Sequence, residues 1–521
     1  MRLGIDFGTT RTVVASVDRG NYPVVSFDAP DGGVFDWFPS LLAQRGKQRL
    51  YGWEAWARQG EDEWTIVRSL KRVLEDAGPN TILRIDDEPI AVSDALAEMA
   101  LALRGALMEQ SSLHAKPGDK LEVMLGAPAN ANSNQRFLTA EAFRAAGFDV
   151  LGLLNEPSAA SLEYNHKNKS AGRILVYDLG GGTFDASLVE VDDLVHTVLA
   201  SEGISTLGGD DFDEILADLA LEAAGIDPPA RDSLTQAELF RLHEECRVRK
   251  ESLHPNTRKL AIDLECVRDG WGSVSVPVAD YYDRCRPLME ETVRLVEDML
   301  SAHASVGIDA LYVTGGGSEL PLVSRVLRET FGRGVKRSAY TRSATAIGLA
   351  IQADAQAGYV LREKFTRFFG VWREGEAGRV VVFDPLFPKG MPLPAPDELP
   401  RTIVREYASA HNIGHFRYLE SSALEDGGRP AGDIAIWDEI LFPFDPALRG
   451  EKDLSRMPVM RSDAADPQRI EESYTCDGSG SVHVTIRNLT ADYERGYRLG
   501  RWAAREETVV PAKRKKKGTK G

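Results

Sequence analysis

The sequence predicts an α/β protein of more than one domain that gives way, in its last third, to an all-β region. A strand–glycine turn–strand pattern occurs at Leu3–Val17 and again at Arg173–Val191. Amphipathic stretches of helix length stand between and after these hairpins, and such mixing implies an α/β architecture. After about residue 358 prolines cluster and apolar residues recur at every second position, the period of a half-buried strand. At 521 residues and 43% hydrophobic content, the chain is too long for a single hydrophobic core.

Taken in order, Leu3–Val17 reads as two strands around Gly8. Leu121–Leu125 is a short apolar strand, and Gln135–Ala146 is a helix that Gly147 stops. Ile174-Leu175-Val176-Tyr177 enters the turn Gly180-Gly181-Gly182. Asp210–Ala224 is a second helix, with Phe212, Ile215, Leu216 and Leu219 on one face and Gly225 at its end. Pro385, Pro388, Pro392, Pro394, Pro396 and Pro400 punctuate the stretch where the all-β character sets in. Val482, Val484 and Ile486 alternate with polar residues, as do Ile470, Glu472, Tyr474 and Cys476 in the opposite phase of the run before them. Asp477-Gly478-Ser479-Gly480 supplies the turn between the two runs. This region reads as a β-sandwich. Pro511–Gly521 carries six Lys/Arg and no acid, and is expected to be a disordered basic tail. The expected domains are 1–357, a linker over 358–370, the β-sandwich over 371–500 and the tail over 501–521.

The net charge of −17 argues against a nucleic-acid surface on the body of the protein. Only the basic tail offers a weak contact with nucleic acid or an anionic surface. Arg2 and Asp6 interrupt any signal-peptide core, and there is no long uncharged apolar run, so a cytoplasmic protein with no membrane partner is expected. Cys246, Cys266, Cys285 and Cys476 form no C-x-x-C pair and read as reduced, buried or half-buried thiols. His411 and His415 flank the strand-like Asn412-Ile413-Gly414 with no third ligand in view, and read as ordinary surface histidines.

Asp6-Phe7-Gly8-Thr9-Thr10 and Asp178-Leu179-Gly180-Gly181-Gly182-Thr183-Phe184-Asp185 look like one device used twice. Each sets an Asp at a strand end, then glycines, then hydroxyls, then another strand. Glycines let backbone N–H groups approach phosphate oxygens, and Thr10 and Thr183 add hydroxyl donors. Asp6 and Asp178 suit the water shell of Mg²⁺, which prefers oxygen and keeps several waters. Two such hairpins fit two related lobes closing over one nucleotide; either alone is an ordinary tight hairpin. No G-x-x-x-x-G-K-[ST] loop is present, and strand–turn–strand is the wrong context for one.

These residues, with several others, resemble the 70-kilodalton heat-shock (DnaK-type) chaperones. Gly4–Thr10 and Asp178–Asp185 are similar to the family's two phosphate motifs. Gly126-Ala127-Pro128 resembles its proline switch, and Gln135-Arg136 its relay arginine. Asn155-Glu156-Pro157-Ser158-Ala159-Ala160 resembles its connecting motif. Sugar kinases and actins share the two clamps but usually lack this stretch. Ser69-Leu70-Lys71-Arg72 is similar to the segment of the catalytic lysine. Leu207-Gly208-Gly209-Asp210-Asp211-Phe212-Asp213 resembles the L-G-G-x-D-F-D motif, and Thr314-Gly315-Gly316-Gly317-Ser318 the adenosine motif. Phe387–Pro394 and Ile470–Ile486 resemble parts of the peptide-binding β-domain.

The resemblance implies a two-lobed actin-like ATPase domain of duplicated ribonuclease-H-like lobes, followed by a β-sandwich. It implies an ATP-dependent chaperone that hydrolyses Mg-ATP, binds unfolded or extended polypeptide and works with co-chaperones. Phosphoryl transfer to water needs charge neutralisation and an oriented nucleophile. On the family's pattern Lys71 orients the water. Asp6, Asp178 and Glu156 hold Mg²⁺ through water. Gly8, Thr9, Gly180, Gly181, Gly182, Gly208 and Gly209 cradle the phosphates, and Gly315, Gly316 and Gly317 take the nucleoside. Asp185 is either the proton acceptor or a buried hydrogen-bonded carboxylate. Glu245 and Lys250 either flank the ribose or adenine or are helix-surface charges. Pro128 and Arg136 form an allosteric relay.

The sequence also departs from that pattern. Glu319 stands where the family carries an adenine-stacking Arg, and His254 where a Ser is expected. The acidic, leucine-rich linker is replaced by a basic, aromatic Tyr359–Phe369, and no helical lid is recognisable before the chain ends. Weak coupling between nucleotide and peptide is therefore expected. A nucleotide-gated scaffold with little turnover and a small-molecule kinase are the competing functions.

Overall fold

The structure, a computed structural model, describes residues 1–499 apart from 69, 75–76, 78–80, 86, 117, 170, 304–306, 376–379, 395–397, 462–466 and 479. The basic tail lies outside the described residues. The chain divides into two compact units, Met1–Thr366 and Arg367–Gly521.

Two central sheets organise the first unit. The first runs in the order Asp149–Asn155, Glu122–Ala127, Arg2–Phe7, Arg11–Ser16, Phe38–Pro39. The second runs Val335–Arg337, Ala310–Thr314, Gly172–Leu179, Phe184–Asp192, Val195–Ile204, Val360–Arg362. Across the first five strands both follow the same plan. Two parallel pairings lead to the first strand of a glycine hairpin, and two antiparallel pairings come after it. In each, the turn of the hairpin leaves from the end of a buried strand.

Both sheets bury apolar strand residues beneath amphipathic helices. Leu3, Ile5, Val123 and Leu125 pack with Leu96 and Phe143 in the first core. Leu175, Tyr177 and Leu179 pack with Phe212, Leu216, Tyr281 and Met289 in the second. The predicted face of the second helix is therefore the buried one, with Ile215 and Leu219 partly buried at its margin. That helix spans Gly209–Ala223. The predicted helix at Gln135 begins at Ser133, because Asn132 caps it. The Asn132 side chain accepts from the Gln135 N–H, and Gln135 reaches back to the Asn132 N–H, a reciprocal capping box. Helix Ala344–Ala353 crosses helix Glu156–Asn168 so closely that a Cβ on Gly348 would fall 1.8 Å from the Ala159 carbonyl oxygen. This crossing fixes the helix that begins at Glu156.

The second unit is two four-stranded antiparallel sheets. One orders Val380–Phe387, Phe368–Gly375, Ile413–Leu424, Pro430–Pro443, and the other Arg401–Ala408, Arg469–Cys476, Val482–Asn488, Tyr493–Leu499. Their inner faces meet through Tyr418 against Tyr474 and Phe442 against Tyr493. The predicted alternation holds: Val482, Val484, Ile486, Ile470, Tyr474 and Cys476 are all buried. Glu472 shares that inner face and is also fully buried. Arg373 donates to both its oxygens at 3.0 and 2.8 Å, and the Tyr407 and Tyr474 hydroxyls donate to it as well. A buried carboxylate persists only when its lone pairs are met in this way.

Two smaller expectations change. Cys266 is exposed, while the other three thiols are buried. The predicted linker segment contributes strand Val360–Arg362, which pairs parallel with Val195–Thr197, and then the start of strand Phe368–Gly375. His415 meets Glu439 and His411 lies 3.8 Å from Glu374. Among the described residues no helix is long and apolar enough to cross a membrane.

Candidate active site

The turns of the two glycine hairpins meet. A Cβ on Gly181 would lie 2.4 Å from the Thr10 hydroxyl, so glycine alone permits this approach of backbone to hydroxyl. Within the second hairpin the Gly180 N–H donates to the Thr183 carbonyl at 2.9 Å. The Gly209 and Asp210 N–H groups then donate to the Gly180 and Gly181 carbonyls at 2.9 and 2.7 Å, seating helix Gly209–Ala223 against the turn.

One cleft collects most of the predicted residues. Asp6, Gly8, Thr9, Thr10, Lys71, Glu156, Asp178, Gly180, Gly181, Thr183, Gly209, Lys250, Gly315, Gly316 and Gly317 all line it. At one end, Lys71 Nζ donates to Glu156 Oε1 at 2.5 Å, and both side chains are about 10% exposed. Glu156 occupies the first turn of its helix, where the N-terminal dipole favours an anion. Asp6, Asp178 and Asp185 stand close by, each at a strand end. Burial, with the nearby Glu156 charge, pushes Asp6 and Asp185 up to about 7. The same causes raise Asp178 well above the usual carboxylate range. Burial works to lower Lys71, but Glu156 and Asp6 outweigh it and raise the ammonium. Four carboxylates thus share one lysine, a set of hard oxygen donors of the kind that a divalent cation takes.

Other predicted residues lie just behind the lining. The Gly182 carbonyl accepts from Arg72 at 3.0 Å, and the Gly208 N–H donates to Asp211 at 2.6 Å. Asp185 accepts the Ala129 N–H at 2.8 Å. Glu245 is directed elsewhere. It accepts from Arg249 at 2.7 Å and from the Asp263 N–H at 2.9 Å, and is not part of the lining. Lys250 does face the cleft, held by the Gly209 carbonyl at 2.5 Å and by Asp213 at 2.8 Å. Arg136 donates to Asn155 Oδ1, and Pro128 begins the turn whose carbonyl accepts from Ala131 at 3.0 Å.

The opposite end of the cleft holds residues that sequence reasoning did not single out: Arg11, Trp37, Arg247, Glu251 and Arg342. Arg11 donates twice to Glu251, at 2.9 and 2.8 Å, and its guanidinium lies 4.8 Å from the Trp37 ring centre. Arg247 donates to Glu251 at 2.8 Å. Glu319 accepts from Arg342 at 3.0 and 2.6 Å and from the Thr341 hydroxyl at 2.6 Å. Burial alone would raise Glu251, but Arg11, Arg247 and Arg342 hold it down at about 2. No motif marks these residues; the one sign in the sequence is the acid at 319, where the family carries an Arg. A second omission is Glu363. It is buried, and its Oε1 accepts the Asn155 N–H at 3.0 Å.

Comparison with known proteins places the chain in a family. The family profile described as Hsp70 protein matches residues 110–366. A chaperone protein HscA homolog from Chromobacterium violaceum is 32% identical over 520 residues, covering 95% of this chain and 77% of that protein. An HscA homolog from Colwellia psychrerythraea is 32% identical over 374 residues, 68% of this chain and 58% of its own length. The chaperone protein HscA of Serratia proteamaculans is 31% identical over 371 residues, again 68% of this chain and 58% of the relative. The alignments with these last two thus span less than two thirds of either relative. The chain belongs to the Hsp70 family.

Proposed function

We propose that this chain binds and hydrolyses Mg-ATP in the cleft, between two related lobes of an actin-like ATPase unit, in an ATP-dependent chaperone-type function. The observation that carries the reading is the meeting of two glycine hairpins over a cluster of four carboxylates and one lysine. The residues fit magnesium. Asp6, Asp178 and Glu156 are hard oxygen donors in a site with surplus negative charge. On the family's pattern these three carboxylates hold the ion through water. When bound, the ion supplies charge neutralisation on the phosphate oxygens.

The chain's own residues do the rest. Thr10 and Thr183 donate hydroxyl hydrogens to phosphate oxygens, beside backbone N–H groups that glycine leaves accessible. Lys71, ion-paired with Glu156, orients the attacking water and offsets developing charge. Asp185, which accepts the Ala129 N–H and a hydrogen bond from the Thr183 side chain, serves as acceptor of the water's proton. Gly315–Gly317 and Lys250 face the nucleoside.

Pro128 and Arg136 serve as a relay. Arg136 holds Asn155, the residue before Glu156, and the Asn155 N–H holds Glu363 just beyond strand Val360–Arg362. The cleft's carboxylate and the exit strand of the first unit thus share one residue as anchor. The second unit takes extended polypeptide. Val380, Val381 and Val382 are 38, 53 and 47% exposed on the edge strand of their sheet. An exposed apolar edge is a ready partner for strand addition. Co-chaperones would act on the first unit.

The test is phosphate release from Mg-ATP by the purified chain, with and without a panel of sugars. Release without sugar is expected. Turnover only when a sugar is phosphorylated would favour a kinase, and binding without release would favour a nucleotide-gated scaffold.

A further inference from the structure

We propose that a groove on the first unit, along the outer face of helix Val92–Glu109, is a docking site for a short polypeptide segment that carries an apolar side chain beside Lys or Arg. The helix buries Leu96, Met99, Ala100, Leu103 and Leu107 in the first core. Its other face carries Glu98, Leu101, Ala102, Gly105 and Glu109, at spacings that place them in one stripe. This stripe lines the groove, and Phe38, Leu50, Tyr51 and Trp53 line it as well. From Glu98 to Glu109 the helix rises about 16 Å, the length of about five extended residues. No residue of this groove lines the candidate active site.

Shape, charge and an orphan donor together define the occupant. Glycine destabilises a helix interior, yet no neighbouring heavy atom lies within 4 Å of a Cβ built on Gly105. Packing within the chain gives no reason for the missing side chain; its effect is to deepen the groove beside Leu101, which is 56% exposed. The charged residues of the lining are Arg49 and three acids, Glu54, Glu98 and Glu109. Arg49 is spent on Glu98, donating to both its oxygens at 3.0 Å, and the Tyr51 hydroxyl donates to the same carboxylate at 2.7 Å. Glu54 and Glu109 have no cation partner among the described residues. An apolar floor with unpaired acids beside it selects a basic apolar segment and rejects an acidic one. Trp53, in the wall, is 3% exposed, and its indole N–H has no acceptor. A polypeptide brings main-chain carbonyls to accept from such a donor, which a simple amine or an alkyl chain does not. The occupant's apolar side chain thus sits over Gly105, between Leu101 and Trp53, and its basic side chains reach Glu54 and Glu109.

The test titrates the full chain with two probes, a heptapeptide of three leucines between pairs of lysines and the same peptide with glutamate in place of lysine. The readout is hydrogen exchange of helix Val92–Glu109, followed by mass spectrometry, which reports on this helix and not on peptide held by the second unit. The lysine peptide is expected to slow exchange in the helix, and the glutamate peptide to need about tenfold more for the same protection. Gly105→Leu fills the groove with a residue that favours the helix, and should raise the half-protecting concentration of the lysine peptide by about tenfold or more. Glu109→Lys keeps the shape of the groove and should weaken the lysine peptide while strengthening the glutamate peptide. Each variant is compared with its own exchange in the absence of peptide. No protection of the helix at millimolar lysine peptide would overturn the proposal. Equal protection by the two peptides, or either variant matching the wild type, would overturn it as well.

Discussion

At the Lys71 end of the cleft, Asp6, Glu156, Asp178 and Asp185 crowd around a single ammonium, whereas at the Arg342 end Glu251 and Glu319 are shared among three arginines. The same physics acts at both ends, and the balance of charge decides the outcome. Where acids outnumber cations, burial holds protons on carboxylates up to about pH 7. Where arginines outnumber acids, Glu251 stays ionised down to about 2. One end holds more carboxylates than the chain's own cations balance; the other is neutralised by the chain itself. The first is suited to phosphate chemistry, the second to holding a shape.

The largest expected effect lies at the acid-rich end. Lys71→Ala should slow hydrolysis by about 100-fold or more, because the lysine is assigned to charge that develops in the transition state. Affinity for Mg-ATP should change only a few-fold. Single-turnover rates beside equilibrium binding check this, and a variant that loses binding and turnover equally would remove the distinction drawn between ground state and transition state. Thr183→Ala should shift the same way by a smaller factor.

A middle-sized effect separates the two ends by pH. Asp6 and Asp185 are raised from 3.8 to about 7, so in metal-free chain they favour the folded state below about pH 4 and lose that contribution as pH rises through about 7. Glu251 is lowered from 4.5 to about 2, so its contribution is present above about 4.5 and is lost as pH falls toward about 2. Denaturant unfolding of metal-free protein should show both limbs. Asp6→Asn should make the neutral-to-alkaline limb shallower, with Asp185 still contributing, and Glu251→Gln should make the acid limb alone shallower. If either variant flattens both limbs, the ends are not electrostatically separate.

The smallest expected effect concerns Glu245. Its carboxylate faces Arg249 and the Asp263 N–H, outside the lining. Glu245→Ala should therefore leave Mg-ATP affinity within about twofold, the ordinary scatter for a residue off the site. A tenfold loss in the same titration would return it to the nucleoside.

Glu245 also shows where sequence reasoning reaches its limit. Residues whose role is written in the backbone were legible: the glycine turns, the strands that lead into them, and Gly147 and Gly225 ending helices at φ +86° and +69°. Periodicity revealed the inner face of the β unit down to Glu472, but not why an acid belongs there, because Arg373 and Tyr407 reach it from other strands. Motif spacing brought Lys71 to Glu156 and Asp6 to Asp178. It was silent on Arg11, Glu251 and Arg342, which meet only after three separate segments fold together. Glu363 was hidden for a similar reason: a lone acid in a basic, aromatic stretch carries no local sign that it is buried against Asn155.

On the proposal above, the Lys71 end takes a magnesium nucleotide. Calorimetry of the wild-type chain with ATP, in the presence and absence of Mg²⁺ at pH 7 and pH 9, tests it most directly. Carboxylates that hold protons near pH 7 must release them to serve a cation. Mg-ATP binding should therefore release protons at pH 7, read as a dependence of the heat on the buffer's ionisation enthalpy, and release few at pH 9. No binding at millimolar Mg-ATP, or binding indifferent to both Mg²⁺ and pH, would contradict it.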